Sequence, residues 1–328
     1  MSFRRFLLVR LAWAVVGLLL AVTIVFVITR VLVSPNEICR GAGGESPDGF
    51  ERCYRAVTEQ LDLNEPIHER YLHFLGDLVT HQSPGTAVWV GGPDGPDSGR
   101  IARHALPATF WLVSGALMFA LAVAAAAGTA WSRATRRWDL LIRLTIYLAL
   151  GLSPVFLGYL LARAVGYEWP VSNFGGCNGF NSQGAECGET REWLSHFVLP
   201  AVTLGLYFAA VYTRMVQTGI DQIRAALGAN ERRELKRRFV LVLARVVGRD
   251  FGWAIGIAVL VETVFSIRGL GRTGITSVPN ADFVLLEAVL LYAALLAIAV
   301  HFMVDVIVAA LDTDLRAEWP VAGMPRPA

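Results

Sequence analysis

The 328 residues are 55% hydrophobic and 17% charged, with a mean hydropathy of +0.50, which excludes an ordinary soluble domain and calls for a chain that crosses a membrane several times. The net charge of +2 decides nothing by itself, because acidic and basic residues are sorted along the chain; no basic face for nucleic acid is built.

Residues 11–29 carry no charge and are long enough to cross a hydrocarbon core of about 30 Å at about 1.5 Å per helical residue. Arg4, Arg5 and Arg10 precede this run and hold the N-terminus in the cytoplasm. The alternative, a cleaved signal peptide, fits less well: the run exceeds a typical apolar core, and Val33-Ser34-Pro35-Asn36 is a poor cleavage site. An N-terminal transmembrane helix over 1–33 follows.

Residues 34–103 carry eleven acidic and six basic side chains and form a sizeable extracytoplasmic region. Apolar spacing predicts short helices over 50–62 and 67–79. His68, His73 and His81 read as surface histidines. Residues 105–131 make a second span, whose small residues from Ala120 to Gly128 allow a neighbouring helix close approach. Arg133, Arg136 and Arg137 mark a cytoplasmic turn, and residues 140–161 make a third span that Pro154 should kink. Residues 166–192 read as an outer loop, and 193–212 as a fourth span with Pro200 in its early turns.

Residues 218–249 carry eight Lys/Arg against three Asp/Glu and belong inside. Two surface helices, 220–227 and 231–240, are predicted on either side of Gly228-Ala229-Asn230. Residues 251–265 make a short fifth span interrupted by Glu262, with Gly252 and Gly256 as a packing face. Residues 267–282 read as an outer loop and 283–311 as the sixth span, so both termini lie in the cytoplasm. A five-helix core over 104–316 and a tail over 317–328 complete the division.

Ionisable groups inside spans default to functional hypotheses. Glu262 reads as a cap or interhelical partner, and His301 and Asp305, four apart, share one face of the sixth helix. Cys39, Cys53, Cys177 and Cys187 fall in outer loops; local pairing, Cys39 with Cys53 and Cys177 with Cys187, is the simplest of three connectivities. Neither spacing resembles a metal knuckle. The chain has no Gly-x-x-x-x-Gly-Lys-Ser/Thr, HExxH or GxSxG motif, which leaves an enzyme no recognisable site.

Several segments taken in order resemble the first permease subunit of ATP-binding-cassette importers of the dipeptide, oligopeptide and nickel uptake group. They are Leu61-Asp62-Leu63-Asn64-Glu65-Pro66-Ile67, Leu106-Pro107-Ala108-Thr109, Leu199-Pro200-Ala201-Val202-Thr203-Leu204-Gly205, Val261-Glu262-Thr263-Val264-Phe265 with Gly269-Leu270-Gly271-Arg272, and Ala310-Leu311-Asp312-Thr313-Asp314-Leu315-Arg316. The resemblance implies an all-α membrane protein of six transmembrane helices, like a type I importer permease. It implies that Arg224, Ala225, Ala226, Gly228, Glu231, Arg232 and Arg233 match the family's EAA motif, which docks on the ATPase. This copy is shorter on both sides of Gly228, and Arg238 and Leu243 stand near where the family has a histidine and a proline.

By the same resemblance the partners are a second permease, cytoplasmic ATPases that bind ATP and Mg, an extracytoplasmic binding protein and the lipid bilayer of a bacterial cytoplasmic membrane. This chain holds no cofactor. The rival expectations are a secondary transporter driven by ions through Glu262, His301 and Asp305, which would normally show an inverted repeat, and an intramembrane enzyme or assembly factor.

Overall fold

The computed structural model describes residues 3–31, 63–87, 95–133, 140–144, 153–165, 190–226, 228–280 and 282–311, with isolated positions between them. Eight helices carry the architecture of these segments: α1 (Phe3–Phe26, continued by a π-helical turn Val27–Val31), α2 (Ile67–Thr80), α3 (Ser98–Trp131), α4 (Pro154–Val165), α5 (Thr190–Ala225), α6 (Ala229–Val264), α7 (Leu270–Ser277) and α8 (Phe283–Leu311). Four stretches are long and apolar enough to cross a membrane: Phe3–Val31, Ser98–Trp131, Phe197–Ala225 and Phe283–Leu311. The protein is therefore a helical, multi-pass membrane protein.

Helices α3 and α5 make the most extensive contact among the described residues. The cause is size: Ala116, Ala120, Ala124 and Gly128 recur every fourth residue on α3, and all are buried. A Cβ at Gly205 on α5 would come within 2.5 Å of the Ala116 carbonyl oxygen, and one at Gly128 within 2.7 Å of the Val216 side chain. In lipid, apolar burial alone drives little association, so this close backbone approach supplies the packing energy. Helix α5 is central, with 61% of its most apolar window buried against 17% for α1. The main core gathers Leu112, Leu204, Phe208, Tyr212, Ala254, Ala258 and Val261 from α3, α5 and α6.

Several boundaries differ from expectation. Helix α3 begins seven residues before the apolar run because Asp97 caps it, its carboxylate accepting from Arg100 N–H at 2.9 Å. Pro154 does not kink a helix interior; it is the first residue of α4, where its missing N–H is no loss, and Leu157 N–H bonds Ser153 C=O at 2.9 Å. Pro200 lies in the interior of α5, which begins at Thr190. The predicted outer loop over 267–282 contains α7, and Asp282 at its end caps α8 through Leu285 N–H at 3.0 Å. Residues 67–79 are helical as expected. Of 50–62, the described positions Phe50, Glu51, Tyr54, Arg55 and Thr58 are helical.

Antiparallel α1 and α8 define two ends of the bundle. At one, Arg30 meets Glu287; at the other, Arg10 meets Asp305. The turn at Gly228 lies at the second end, where Arg224 donates to Ser132 C=O at 2.7 Å and Arg237 to the Leu311 carbonyl.

Candidate functional site

The helix break at Gly228 is not a pair of surface helices. It is the junction of two 36-residue helices, α5 and α6, each running from the bundle without interruption to this point. Gly228 takes an extended conformation (φ −100°, ψ 149°) as the N-cap of α6. Lacking a side chain, it leaves half the capping role to Glu231, whose Oε2 accepts from Gly228 N–H at 3.4 Å. Arg232 reaches back to the Ala226 carbonyl at 3.0 Å, closing the turn from the other side. Ala226 is buried, while Arg224, Ala225, Gly228, Glu231, Arg232 and Arg233 are exposed together on one tip.

Two contacts stiffen the helices below this tip. A Cβ at Gly219 would lie 2.3 Å from the Phe239 ring, so only glycine lets that ring press on the α5 backbone. Deeper in the bundle the Tyr212 hydroxyl donates to Asp250 at 3.1 Å.

Glu262 lies at the other end of α6 and is fully buried. Helix α6 finishes in a Schellman arrangement: Ser266 sits at φ 56°, Ile267 N–H bonds Glu262 C=O at 2.9 Å, and Ser266 N–H bonds Thr263 C=O at 3.4 Å. The chain thus reverses and brings the start of α7 over the Glu262 side chain. The carboxylate accepts from Thr109 Oγ1 at 2.6 Å and from Arg272 N–H at 3.0 Å. Thr109 in turn accepts from Leu270 N–H at 2.8 Å.

The N-cap of α7 is Gly269, which has no side chain, so a carboxylate from α6 and a hydroxyl from α3 satisfy that helix's first N–H groups instead. Glycine is required by contact here: a Cβ at Gly269 would lie 2.3 Å from the Glu262 carboxyl carbon, and one at Gly271 2.4 Å from Val259 Cα. Glu262 thus joins α6 to α3 through Thr109 and to the start of α7 through the Arg272 N–H.

His301 and Asp305 are brought together, with Nε2 and Oδ2 3.5 Å apart, but Arg10 reaches the same Oδ2 at 3.3 Å. These three groups line a groove of about 650 Å³ between α1, α6 and α8, whose other walls include Trp13, Gly252 and Phe302. Gly252 faces Ala297 at packing distance, whereas Gly256 has no such neighbour among the described residues.

Sequence reasoning missed the most buried ion pair among the described residues. Arg30 on the π turn donates to both oxygens of Glu287, at 3.2, 3.2 and 3.1 Å, and to Pro84 C=O at 2.8 Å. Thr29 adds a bond to Glu287 at 3.1 Å, and the Arg30 guanidinium stands 4.5 Å over the Phe74 ring. The signal was present as two isolated opposite charges in apolar runs, one at the end of the first span and one near the start of the last.

Cys39 is buried, and among the described residues no cysteine is free. Cys53, Cys177 and Cys187 lie outside the described residues, so the two pairings are not placed.

Residues 116–317 match the model of a family described as binding-protein-dependent transport system inner membrane component. The chain is also similar along nearly its whole length to glutathione transport system permease proteins GsiC. It is 28% identical over 327 residues to that of Salmonella typhimurium LT2, covering 95% of this chain and 98% of the relative. It is 27% identical over 323 residues to that of Escherichia coli K12, covering 94% and 97%.

Proposed function

Because the chain belongs to the binding-protein-dependent transport system inner membrane component family, we propose that it is one of two permease subunits of an ATP-driven importer for peptides or related small solutes, glutathione among them. The pathway runs between this chain and a second permease. A binding protein delivers cargo at the Arg30 end, and cytoplasmic ATPases, which carry ATP and Mg, dock at the Gly228 end. Both termini then lie in the cytoplasm, and six spans form when the α4 region and the apolar half of α6 are added to the four long apolar helices. The cysteine pairs close outer loops as disulfides.

The observation that carries this reading is the exposed tip at Gly228, joined without a break to α5 and α6. A rigid helix transmits displacement along its axis, so closure of ATPase domains against the tip moves the bundle core. No chemistry is needed from this chain. The ion-coupled alternative draws no support, since Asp305 is occupied by Arg10 and the family is one of binding-protein-dependent systems.

Deletion of residues 225–233 abolishes co-purification with the ATPase while the chain still inserts in the membrane. Charge reversal at exposed Arg233 weakens the association without removing the turn. Normal co-purification of both variants overturns the docking assignment.

A further inference from the structure

We propose that α2 is embedded in the membrane interface, with Leu72, Leu75 and Val79 resting on the acyl chains of the leaflet at the Arg30 end. Its place in the chain gave an extracytoplasmic helix, but its packing sets a depth. Tyr71 shares a hydrogen bond of 2.7 Å with Thr23 of α1. Phe26 meets Tyr71 edge-on at 5.1 Å and Phe74 at 5.4 Å between ring centroids. Arg70 donates to the Arg30 carbonyl at 2.7 Å, and Leu18, Leu75 and Leu78 join the same apolar cluster.

The part of α1 between Arg10 and Arg30 is about 30 Å long at about 1.5 Å per residue, the thickness of the hydrocarbon core. Thr23 stands seven residues before Arg30, so Tyr71 is about 10 Å inside that boundary, the depth typical of an interfacial amphipathic helix.

The composition of α2 around its axis agrees. At 100° per residue, Phe74, Leu78 and Tyr71 form the side buried on α1. Leu75, Val79 and Leu72 continue that arc outward, while Glu69, His73, Asp77 and Thr80 occupy the opposite arc. On the polar arc His73 pairs with Glu65 at 3.0 Å, and His81 at the helix end pairs with Asp77 at 3.4 Å. Leu72 and Val79 are 63% and 81% exposed. The helix against which α2 packs is itself exposed through Leu19, Leu20 and Ile24, apolar side chains that a membrane-spanning helix presents to lipid over the same stretch of its length. His68, in the first turn on the same side, is the only ionisable group of α2 in that arc.

The test places the photoreactive residue benzoylphenylalanine at Leu72, Val79, Glu69 or Thr80 of the full chain, reconstituted in phosphatidylethanolamine and phosphatidylglycerol vesicles. After irradiation, adducts are weighed by mass spectrometry. Lipid adducts several-fold above those at Glu69 and Thr80 are expected at Leu72 and Val79. Equal lipid yields at all four positions, or adducts at Leu72 and Val79 to protein in place of lipid, overturn the proposal.

Discussion

Glu262 and Gly269 occupy one space: a Cβ on Gly269 would lie 2.3 Å from the Glu262 carboxyl carbon. The carboxylate is the far end of a side chain, yet it is buried and held by Thr109 and Arg272 N–H, so it has nowhere to retreat. Gly269→Ala therefore costs about 1–3 kcal/mol, the usual range for overpacking. Thermal unfolding of the purified chain in detergent checks this; an unchanged midpoint shows that the carboxylate relocates freely.

Removing Glu287 leaves the Arg30 guanidinium buried without its anion. Glu287→Ala should lose about 3–5 kcal/mol, read as a lower unfolding midpoint. Joint replacement by Arg30→Met and Glu287→Leu removes both charges and should recover most of that loss. If the double variant is as weak as the single one, the pair contributes more than the relief of a stranded charge.

Ser266 holds a left-handed conformation that serine adopts at a cost. Its carbonyl is held by Arg272 Nη1 at 2.6 Å, which does not depend on the side chain. Ser266→Gly should stabilise by about 1 kcal/mol, visible as a raised midpoint. A lowered midpoint would mean that the added freedom of the unfolded chain outweighs the relieved strain.

At Gly228 the opposite holds. The backbone is extended, and the nearest atom to an added Cβ is Glu231 Cβ at 3.9 Å. Gly228→Ala should cost no more than about 1 kcal/mol, the usual penalty for alanine at an N-cap. Any loss of ATPase co-purification by this variant then reports on the docked surface, because the fold is intact.

Much was legible in order along the sequence. The apolar runs marked α1, α3, α5 and α8 because a hydrocarbon core demands about 20 uncharged residues at a stretch, and composition alone records that demand. The small residues of α3 predicted its closest neighbour contact for the same kind of local reason. Glu262 and the glycines after it stood out as a pattern, but their relation did not. The pattern becomes a cap only when the Schellman turn folds α7 back over α6 and Thr109 arrives from α3.

What the sequence by itself determined, then, is what each residue must avoid: charge avoids lipid, and proline avoids a helix interior unless its lost bond is compensated. Tertiary structure alone decided which exceptions are satisfied and by whom. Arg30 finds Glu287 across 257 residues, and the charged block around Gly228 turns out to be the tip of two long helices. Such partners lie far apart in the chain, and no local period or composition encodes a meeting that packing creates.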